Sequence, residues 1–395
     1  MSKAMEYIDE QAVIDLTKRL IKNDSLSGNE RKIATLLAIE MKKAHFNLVQ
    51  IDDETNDIIG VLPGAGKGKT LVLVGHIDII PPGLMSEPFI PQEIDGTKLG
   101  SRGKVITGRG SCDMKASLAA MISAAGAMKR ARSRLKGNYV VIGLANTKTG
   151  KSSGIKKLLK KFDLKPDFVV YCGPSNLDIN TAHPGQATFE IIAKGKMSNI
   201  GNVKEGDNAI HKMNKVLACI TENAVLPENK RFGKANMIIS SITSLPVDEF
   251  YAIPSMCKSL LVRQYFKGEN PENIRNELIE ILKKNGYKEQ DVAINLRDHY
   301  PPMEIDSKQE IIKIIQDTKD FVMKKEAKIS QWNSGISITN LIGLDQPVVG
   351  FGPGDEKYAH TSIEHVPLEH VKAAVKLFTV LGEKICVQMK EKTEA

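Results

Sequence analysis

Apolar residues over the first 45 positions recur at helical spacing, with one polar break at 23–25. This period predicts two helices joined by a turn. Three later apolar runs, at 71–74, 139–144 and 168–171, are continuous instead of alternating. Such runs are typical of strands buried on both faces of a sheet. With an Ala- and Met-rich helical segment at 116–131 between the first two runs, the pattern predicts an α/β domain.

The pattern changes near residue 185, where strands and amphipathic helices follow one another closely. The pattern predicts a strand at 187–193, a helix at 208–223, strands at 235–242 and 259–265, a helix at 273–285 and then a final strand. This βαββαβ order predicts a small α+β unit inserted into the larger domain. Apolar segments at 341–352 and 368–389 then return to the first domain. We therefore predict a discontinuous α/β domain, 1–184 with 299–395, and an inserted domain, 185–298.

Composition narrows the function classes. With 395 residues, of which 42% are hydrophobic, the chain suits two globular domains. No apolar run approaches the ~20 residues of a membrane span, and residues 1–10 lack a signal-peptide core, so we expect a cytoplasmic protein without membrane contact. The net charge is +8, but the lysines are dispersed and only one Trp is present, which argues against nucleic-acid binding. Five scattered cysteines predict reduced thiols.

Polar residues that could bind a metal ion follow several of the predicted strands. His76 and Asp78 come directly after the first buried run, and Asp113 follows a glycine-rich turn at the start of the helix. Near the C-terminus, His360 and Glu364 follow a second glycine-rich loop. A histidine whose other ring nitrogen is fixed by a nearby acid is a common metal ligand. Taken singly, each motif is more typical of a hydrogen-bonded loop or a capped helix.

Together, the motifs, their order and their intervals resemble the dinuclear-zinc hydrolase family that includes acetylornithine deacetylase, succinyl-diaminopimelate desuccinylase, aminoacylase and glutamate carboxypeptidase. The resemblance covers nearly the whole chain, from the turn at 26–30 to the final helix. It implies a zinc-exopeptidase-like mixed sheet flanked by helices. It also implies that 185–298 is a dimerisation domain, through which the chain would form a homodimer.

The resemblance further implies roles for individual residues. Asp113 would bridge two zinc ions, of which His76 would bind one and His360 the other. Asp78 and Glu364 would support these ligands from the outer shell.

Two more elements match substrate-binding parts of the family. Arg263 matches an arginine that grips the substrate carboxylate, a role that suits its bidentate fork. Gly352 and Gly354 lie in the glycine loop, which also favours binding of an anion. We therefore expect a small carboxylated ligand.

The chain departs from the family at the positions that carry the chemistry. Thr147 stands where the family has its general base, and Lys148 and Gly173 stand where it has two metal ligands. Threonine does not take a proton from metal-bound water at neutral pH. Asn199 replaces the histidine that the partner subunit supplies to stabilise the oxyanion. Cys172, beside Gly173, is either a substitute thiolate ligand or, more often for such a residue, a buried structural cysteine.

These substitutions leave three hypotheses for the metal. His76, Asp113 and His360 could still hold one zinc or another divalent ion. A charged Lys148 at ~4 Å from such an ion would oppose its binding by about 8 kcal/mol at an effective dielectric of ~20, and a site without metal is an equal alternative. In that site the ammonium would pair with Asp113. In the third hypothesis Lys148 is neutral and acts as a base.

We therefore predict a catalytically impaired member of the hydrolase family. It would be a homodimer that binds a ligand or regulates a partner, such as an active related enzyme. The alternative is an active hydrolase of amide or carbamoyl bonds in small carboxylated substrates, with one metal ion or none. Neither hypothesis involves nucleic acid or a membrane, and the sequence leaves open whether the chain is an enzyme.

Overall fold

The computed structural model describes residues 2–66, 68–149, 155–246, 251–336 and 348–388. The chain divides into two compact units. The larger unit comprises Met1–Ala182, Glu304–Trp332 and Ser337–Ala395, and the smaller unit comprises His183–Met303 and Asn333–Ile336. The smaller unit thus begins two residues before the predicted 185–298 and ends five residues after it. It also gains the short segment Asn333–Ile336, which the sequence pattern did not assign to it.

The helices and strands have the following bounds. The helices are α1 (Glu10–Ile21), α2 (Arg31–Lys43), α3 (Ala116–Arg130), α4 (Ile155–Lys161), α5 (Ala209–Asn223), α6 (Pro271–Lys284), α7 (Glu310–Met323) and α8 (Leu368–Cys386). The strands are β1 (Leu48–Ile51), β2 (Ile58–Leu62), β3 (Leu71–His76), β4 (Glu93–Asp95), β5 (Lys104–Thr107), β6 (Tyr139–Leu144), β7 (Phe168–Tyr171), β8 (Ile179–Asn180), β9 (Ala182–His183), β10 (Gly185–Lys194), β11 (Ser198–Asn199), β12 (Glu228–Asn229), β13 (Gly233–Lys234), β14 (Met237–Leu245), β15 (Ala252–Ile253), β16 (Met256–Tyr265), β17 (Val292–Tyr300), β18 (Met303–Glu304), β19 (Ile329–Ser330), β20 (Val348–Gly350) and β21 (His365–Pro367).

The larger unit is built on an eight-stranded sheet with the order β1-β2-β6-β3-β7-β20-β8-β19. Strand β3 runs parallel to β6 and β7, and β20 runs parallel to β7. Strand β2 is antiparallel to β6, so the sheet is mixed, as predicted. Strands β3 and β6 are fully buried, which explains their continuous apolar sequences. Because the carboxyl ends of parallel strands meet at one edge, the loops after β3, β6, β7 and β20 are brought together.

Helix α3 is buried along almost its whole length, from Ala116 to Met128, and its small side chains permit this. The apolar segment at 341–352 is described only from Val348, where β20 begins, and residues 341–347 lie outside the described part of the chain. Strands β4, β5 and β21 form a three-stranded sheet that the sequence pattern did not indicate. Its strands are only three or four residues long, too short to show a period.

The smaller unit contains a four-stranded antiparallel sheet with the order β14-β16-β10-β17. Strands β10 and β16 alternate between buried and half-buried positions, and their buried side chains join those of α5 and α6 in one core. The sheet is therefore covered by helices on this face, as the βαββαβ order predicts. Across the described residues of both units, no helix is long and apolar enough to cross a membrane.

Candidate active site

Strand β3 ends at His76, whose ring is held from both sides. Its Nδ1 lies 2.8 Å from the backbone oxygen of Asp78, and its Nε2 lies 2.8 Å from Oδ1 of Asp113. The carboxylate of Asp78 is farther from the ring, with Oδ1 at 3.7 Å from Nδ1. The backbone oxygen of Asp78 thus orients the His76 ring, whereas the sequence predicted that the Asp78 side chain would do so.

The Asp113 carboxylate is the centre of the site. It lies in an irregular turn, Ser111–Lys115, that precedes α3. Its Oδ1 faces His76, and its Oδ2 accepts from Nζ of Lys148 at 2.8 Å and lies 3.0 Å from Nε2 of His360. Burial opposes ionisation of this carboxyl, but Lys148, His76 and His360 outweigh it and hold its pKa well below the usual range. Asp113 is therefore ionised.

Lys148 lies between His76 and Asp113, the two residues predicted to bind one of the metal ions. Its Nζ lies 2.8 Å from Oδ2 of Asp113 and 3.2 Å from Nε2 of His76. The Lys148 side chain is 20% exposed, whereas those of Asp113 and His76 are 8% and 1% exposed. His360 is the open side of the cluster, with 49% of its side chain exposed. The four predicted residues therefore form one hydrogen-bonded group with a cation inside it.

The turn after β6 that carries Lys148 is fixed by Asp78. The hydroxyl of Thr147 donates to Oδ1 of Asp78 at 2.7 Å. The backbone N–H of Lys148 and the hydroxyl of Ser27 donate to Oδ2 at 2.9 Å and 2.7 Å. Asp78 is fully buried, so all three donors hold it in place. Asp78 thus positions the lysine turn, and Thr147 is engaged as a donor to a carboxylate.

Glu364 fixes the turn that carries Asp113. Its Oε1 accepts from the backbone N–H groups of Cys112 and Asp113 at 3.1 Å and 3.0 Å, and its Oε2 accepts from Arg109. Burial raises the pKa of this carboxyl, and the N–H of Asp113 opposes that rise. Glu364 therefore supports Asp113 through the main chain. The role of Arg109 was not predicted, because nothing in a glycine-rich turn indicates which distant acid its arginine meets.

The two loop glycines at 352 and 354 allow close packing against neighbouring turns. A Cβ at Gly352 would lie 2.3 Å from the backbone oxygen of Cys172. Gly354 has a φ of +89°, and a Cβ there would lie 2.6 Å from Sγ of Cys112. Both positions thus require glycine for steric reasons, and a substrate-binding role for them stays a prediction.

The Cys172 thiol does not favour a role as metal ligand. It donates to the backbone oxygen of Val170 at 3.6 Å. Burial raises its pKa well above the usual range, so the group is a thiol and no thiolate is available. Cys172 is a buried structural cysteine in this structure.

The remaining two predicted residues lie in the smaller unit. Asn199 is exposed, and its side chain accepts from the N–H of Gly201 at 2.9 Å, where it caps the short 3-10 turn Ile200–Glu205. Arg263, in β16, is 3% exposed and pairs through Nη2 with Glu269 at 3.0 Å. Its Nη1 is buried without a hydrogen-bond partner within the described ranges. Arg263 also lines a cavity of about 460 Å³ between α5 and α6.

A family model described as "Peptidase family M20/M25/M40" matches residues 72–384, which include the whole of this cluster. The chain belongs to peptidase family M20/M25/M40. The match confirms the dinuclear-zinc hydrolase family to which the sequence motifs point.

Individual M20 proteins agree with this assignment. Succinyl-diaminopimelate desuccinylase of Wolbachia sp. subsp. Brugia malayi is 27% identical over 244 residues, which are 58% of this chain and 59% of that protein. Human carnosine dipeptidase 1 superposes with a TM-score of 0.80 at 15% identity, over 97% of this chain and 98% of that chain. The YXEP protein of Bacillus subtilis, described as a dinuclear metal binding peptidase, superposes with a TM-score of 0.64 at 14% identity, over 95% and 98%. Divalent metal ions are the usual cofactors of the M20 family.

The residues of this M20 chain do not fit a two-metal centre. Across the described ranges, no group of three or more His, Cys, Asp and Glu side chains is arranged to hold a metal ion. His76, Asp113 and His360 converge, but they hydrogen-bond to one another, with the Lys148 ammonium among them. Divalent cations need deprotonated ligands that are free to coordinate, and a cation within the ligand set opposes them.

Proposed function

We propose that this protein is an M20-family member that has lost two-metal hydrolysis and in which the Lys148 ammonium takes the place of a metal ion. One observation carries the proposal: Nζ of Lys148 lies within 2.8 Å of Asp113 and 3.2 Å of His76, two residues that the family motif assigns to the metal centre. The ammonium supplies the positive charge that keeps the buried Asp113 carboxylate ionised.

Repulsion between the Lys148 ammonium and a metal ion supports this assignment. At ~4 Å and an effective dielectric of ~20, an ammonium and a divalent ion repel by about 8 kcal/mol. With Lys148 and Gly173 in place of two metal ligands of the family, no acid at these positions offsets this repulsion, and a divalent ion beside Asp113 is disfavoured. The Lys148 side chain is mostly buried, and its backbone N–H donates to Asp78, which fixes the turn from which the side chain reaches Asp113.

The position of the general base supports the same conclusion. The Thr147 hydroxyl donates its hydrogen bond to Oδ1 of Asp78 at 2.7 Å and lies in a residue that is 1% exposed. A hydroxyl in this state has neither the basicity nor the orientation to take a proton from water. Asn199, at the position of the oxyanion-binding histidine, is engaged in capping a turn of its own unit.

The proposed ligand is a small carboxylate. Arg263 is the basis of this proposal, because its Nη2 pairs with Glu269 and its Nη1 is buried without a partner among the described residues. A carboxylate that entered the cavity beside it would satisfy Nη1 as well, with Lys284 of the same lining in its favour and the charges of Glu277 and Glu280 against it. Binding of N-acyl amino acids to Arg263 would require no metal ion, and it would leave ligand recognition intact in a chain that does not hydrolyse the ligand.

The proposed assembly is a homodimer formed through the smaller unit. Strand β14 lies at the edge of the four-stranded sheet and carries Ile238, Ile239 and Ile242, which are 57%, 42% and 56% exposed. An apolar edge strand of nine residues favours pairing with another strand. A second copy of this chain, or an active relative with the same unit, would provide that strand.

The experiment compares metal content and turnover in three forms of the protein. The wild type, Lys148→Glu and the matched control Lys156→Glu, which makes the same charge change on the exposed face of α4, are purified without chelators and equilibrated with zinc. Lys148→Glu replaces the ammonium with a carboxylate beside Asp113 and His360. We expect zinc to bind to Lys148→Glu and not to the wild type or the control.

Turnover separates this proposal from its alternative. N-acyl amino acids, dipeptides and N-carbamoyl amino acids are incubated with the wild type, both metal-free and equilibrated with zinc. We expect no hydrolysis. Hydrolysis that survives metal removal and is lost in Lys148→Met would establish the alternative, an active hydrolase with a rewired site in which Lys148 takes part. Hydrolysis that requires stoichiometric zinc would refute the proposal.

A further inference from the structure

Gly173 stands at the position of the missing acidic ligand, and its neighbour Tyr171 leaves no room for a side chain. A Cβ built on Gly173 would lie 2.5, 2.7 and 2.9 Å from Cε1, Cζ and Oη of Tyr171. Carbon atoms do not approach so closely in proteins. The φ angle of Gly173 is not positive, so its backbone does not require glycine. The glycine is therefore required by the aromatic ring.

The Tyr171 ring is held in this place by the only tryptophan of the chain. The centroids of the Tyr171 and Trp332 rings are 5.5 Å apart with an interplanar angle of 50°. The Trp332 indole is 1% exposed and its Nε1 donates to the backbone oxygen of Pro174 at 3.2 Å. A Cβ at Gly350 would lie 1.9 Å from that indole, so β20 also packs directly against it. Rotation of the tyrosine ring away from Gly173 is thereby opposed.

The same ring borders the candidate active site. Tyr171 is 4% exposed, and its pKa is raised well above the usual range by burial and by the nearby carboxylate of Asp113. The phenol is thus neutral and lies close enough to Asp113 to interact with its charge. An acidic side chain at 173 would have to occupy the space that this phenol fills.

We infer that Tyr171 and Trp332, which we call the aromatic wedge, sterically close the metal position that the family motif assigns to His76 and Asp113. This closure adds to the one by the Lys148 ammonium. The inference rests on the proposed loss of the metal centre and names the residues that maintain it. Tyr171 acts here as a blocking residue and not as a catalytic one. The two closures are independent, because Lys148 replaces the charge of a metal ion and the wedge replaces the volume of a ligand.

A double-mutant cycle tests the wedge without any metal ion. Gly173→Ala, Tyr171→Val and the double variant are unfolded in urea, with the fluorescence of Trp332 as a local probe and circular dichroism as a global one. We expect Gly173→Ala to raise the unfolding equilibrium constant. The fold-increase should be smaller by a factor of about ten or more when residue 171 is valine, as for two residues in contact. Tyr265→Val, a buried tyrosine of the smaller unit, is the control, and its effect should add to that of Gly173→Ala. Additive behaviour of Gly173→Ala and Tyr171→Val would overturn the inference.

Metal content tests the functional consequence. Lys148→Glu combined with Gly173→Glu is compared with the same pair carrying Tyr171→Val, and each is first shown to be folded by circular dichroism. Relative to Lys148→Glu alone, we expect one additional zinc ion per chain only when Tyr171→Val is present. An equal rise without Tyr171→Val, or no rise with it, would overturn the wedge. Zinc in the wild type would instead overturn the proposed function, and the urea cycle would still report on the wedge.

Discussion

Lys148→Met is the perturbation whose effect follows most directly from the structure. It removes the ammonium and keeps most of the aliphatic volume, so Asp113 loses the ammonium that pairs with it. Asp113 is 8% exposed, and removal of one partner from a buried ion pair costs about 3–5 kcal/mol. The cost here should be smaller, because the imidazoles of His76 and His360 still face the carboxylate and because the Lys148 side chain is 20% exposed. We therefore expect a loss of about 2–3 kcal/mol in the free energy of unfolding.

The assay is urea unfolding at pH 7 followed by circular dichroism. Lys156→Met, an exposed lysine of α4, is the matched control and should lie within about 0.5 kcal/mol of the wild type. The double variant Lys148→Met, Asp113→Asn should recover at least about 1 kcal/mol of the loss, because it removes the uncompensated charge. A Lys148→Met protein as stable as the control would show that the ammonium does not stabilise Asp113, and the reasoning would be refuted.

Three further predictions concern other parts of the chain. Thr147→Val should lower the free energy of unfolding by about 1–2 kcal/mol in the same urea assay, because the buried Asp78 carboxylate loses one of its donors; an unchanged value would contradict the proposed role of Asp78. Burial lowers the pKa of His183 from its ordinary value of 6.5 to about 4. As the pH falls, the imidazole is therefore protonated in the unfolded chain before it is protonated in the folded one. The free energy of unfolding should be unaffected by this group above pH 6.5 and should fall by up to about 3 kcal/mol as the pH drops to 4. Unfolding of wild type and His183→Gln measured over this pH range should show a weaker pH dependence in the variant; equal slopes would exclude His183 as the cause. Ile238→Lys with Ile242→Lys should convert a dimer to a monomer in sedimentation equilibrium without loss of helix signal, and a dimer that persists would place the interface elsewhere.

Much of the larger unit could be predicted from the sequence because its signals are local. The continuous apolar runs that became β3 and β6 are fully buried strands, and that of β7 is buried except at Phe168. The ends of β3 and β6 bring His76 and the turn of Lys148 to one edge of the sheet. The convergence of Asp113 and His360 on the same point followed from the resemblance to the family. The pairing of Lys148 with Asp113 was predicted from charge alone.

The contacts that could not be predicted depend on side chains that meet only in three dimensions. Asp78 follows His76 by two residues, which suggested that its carboxylate orients the imidazole, but the chain turns so that the backbone oxygen does so and the carboxylate meets Thr147 and the Lys148 N–H. The wedge was also missed. Gly173 looked like the plain loss of an acid, and only the positions of the Tyr171 and Trp332 rings show that the space is filled.

The central claim is that the Lys148 ammonium stands in the place of a metal ion. Native mass spectrometry of the wild-type chain, equilibrated with a small excess of zinc at pH 7 and then desalted, tests it most directly. The account predicts a chain mass without bound zinc, and a mass increase of one zinc ion in Lys148→Glu under the same conditions. One or two zinc ions retained by the wild type, and lost on replacement of Asp113 by Asn, would contradict it.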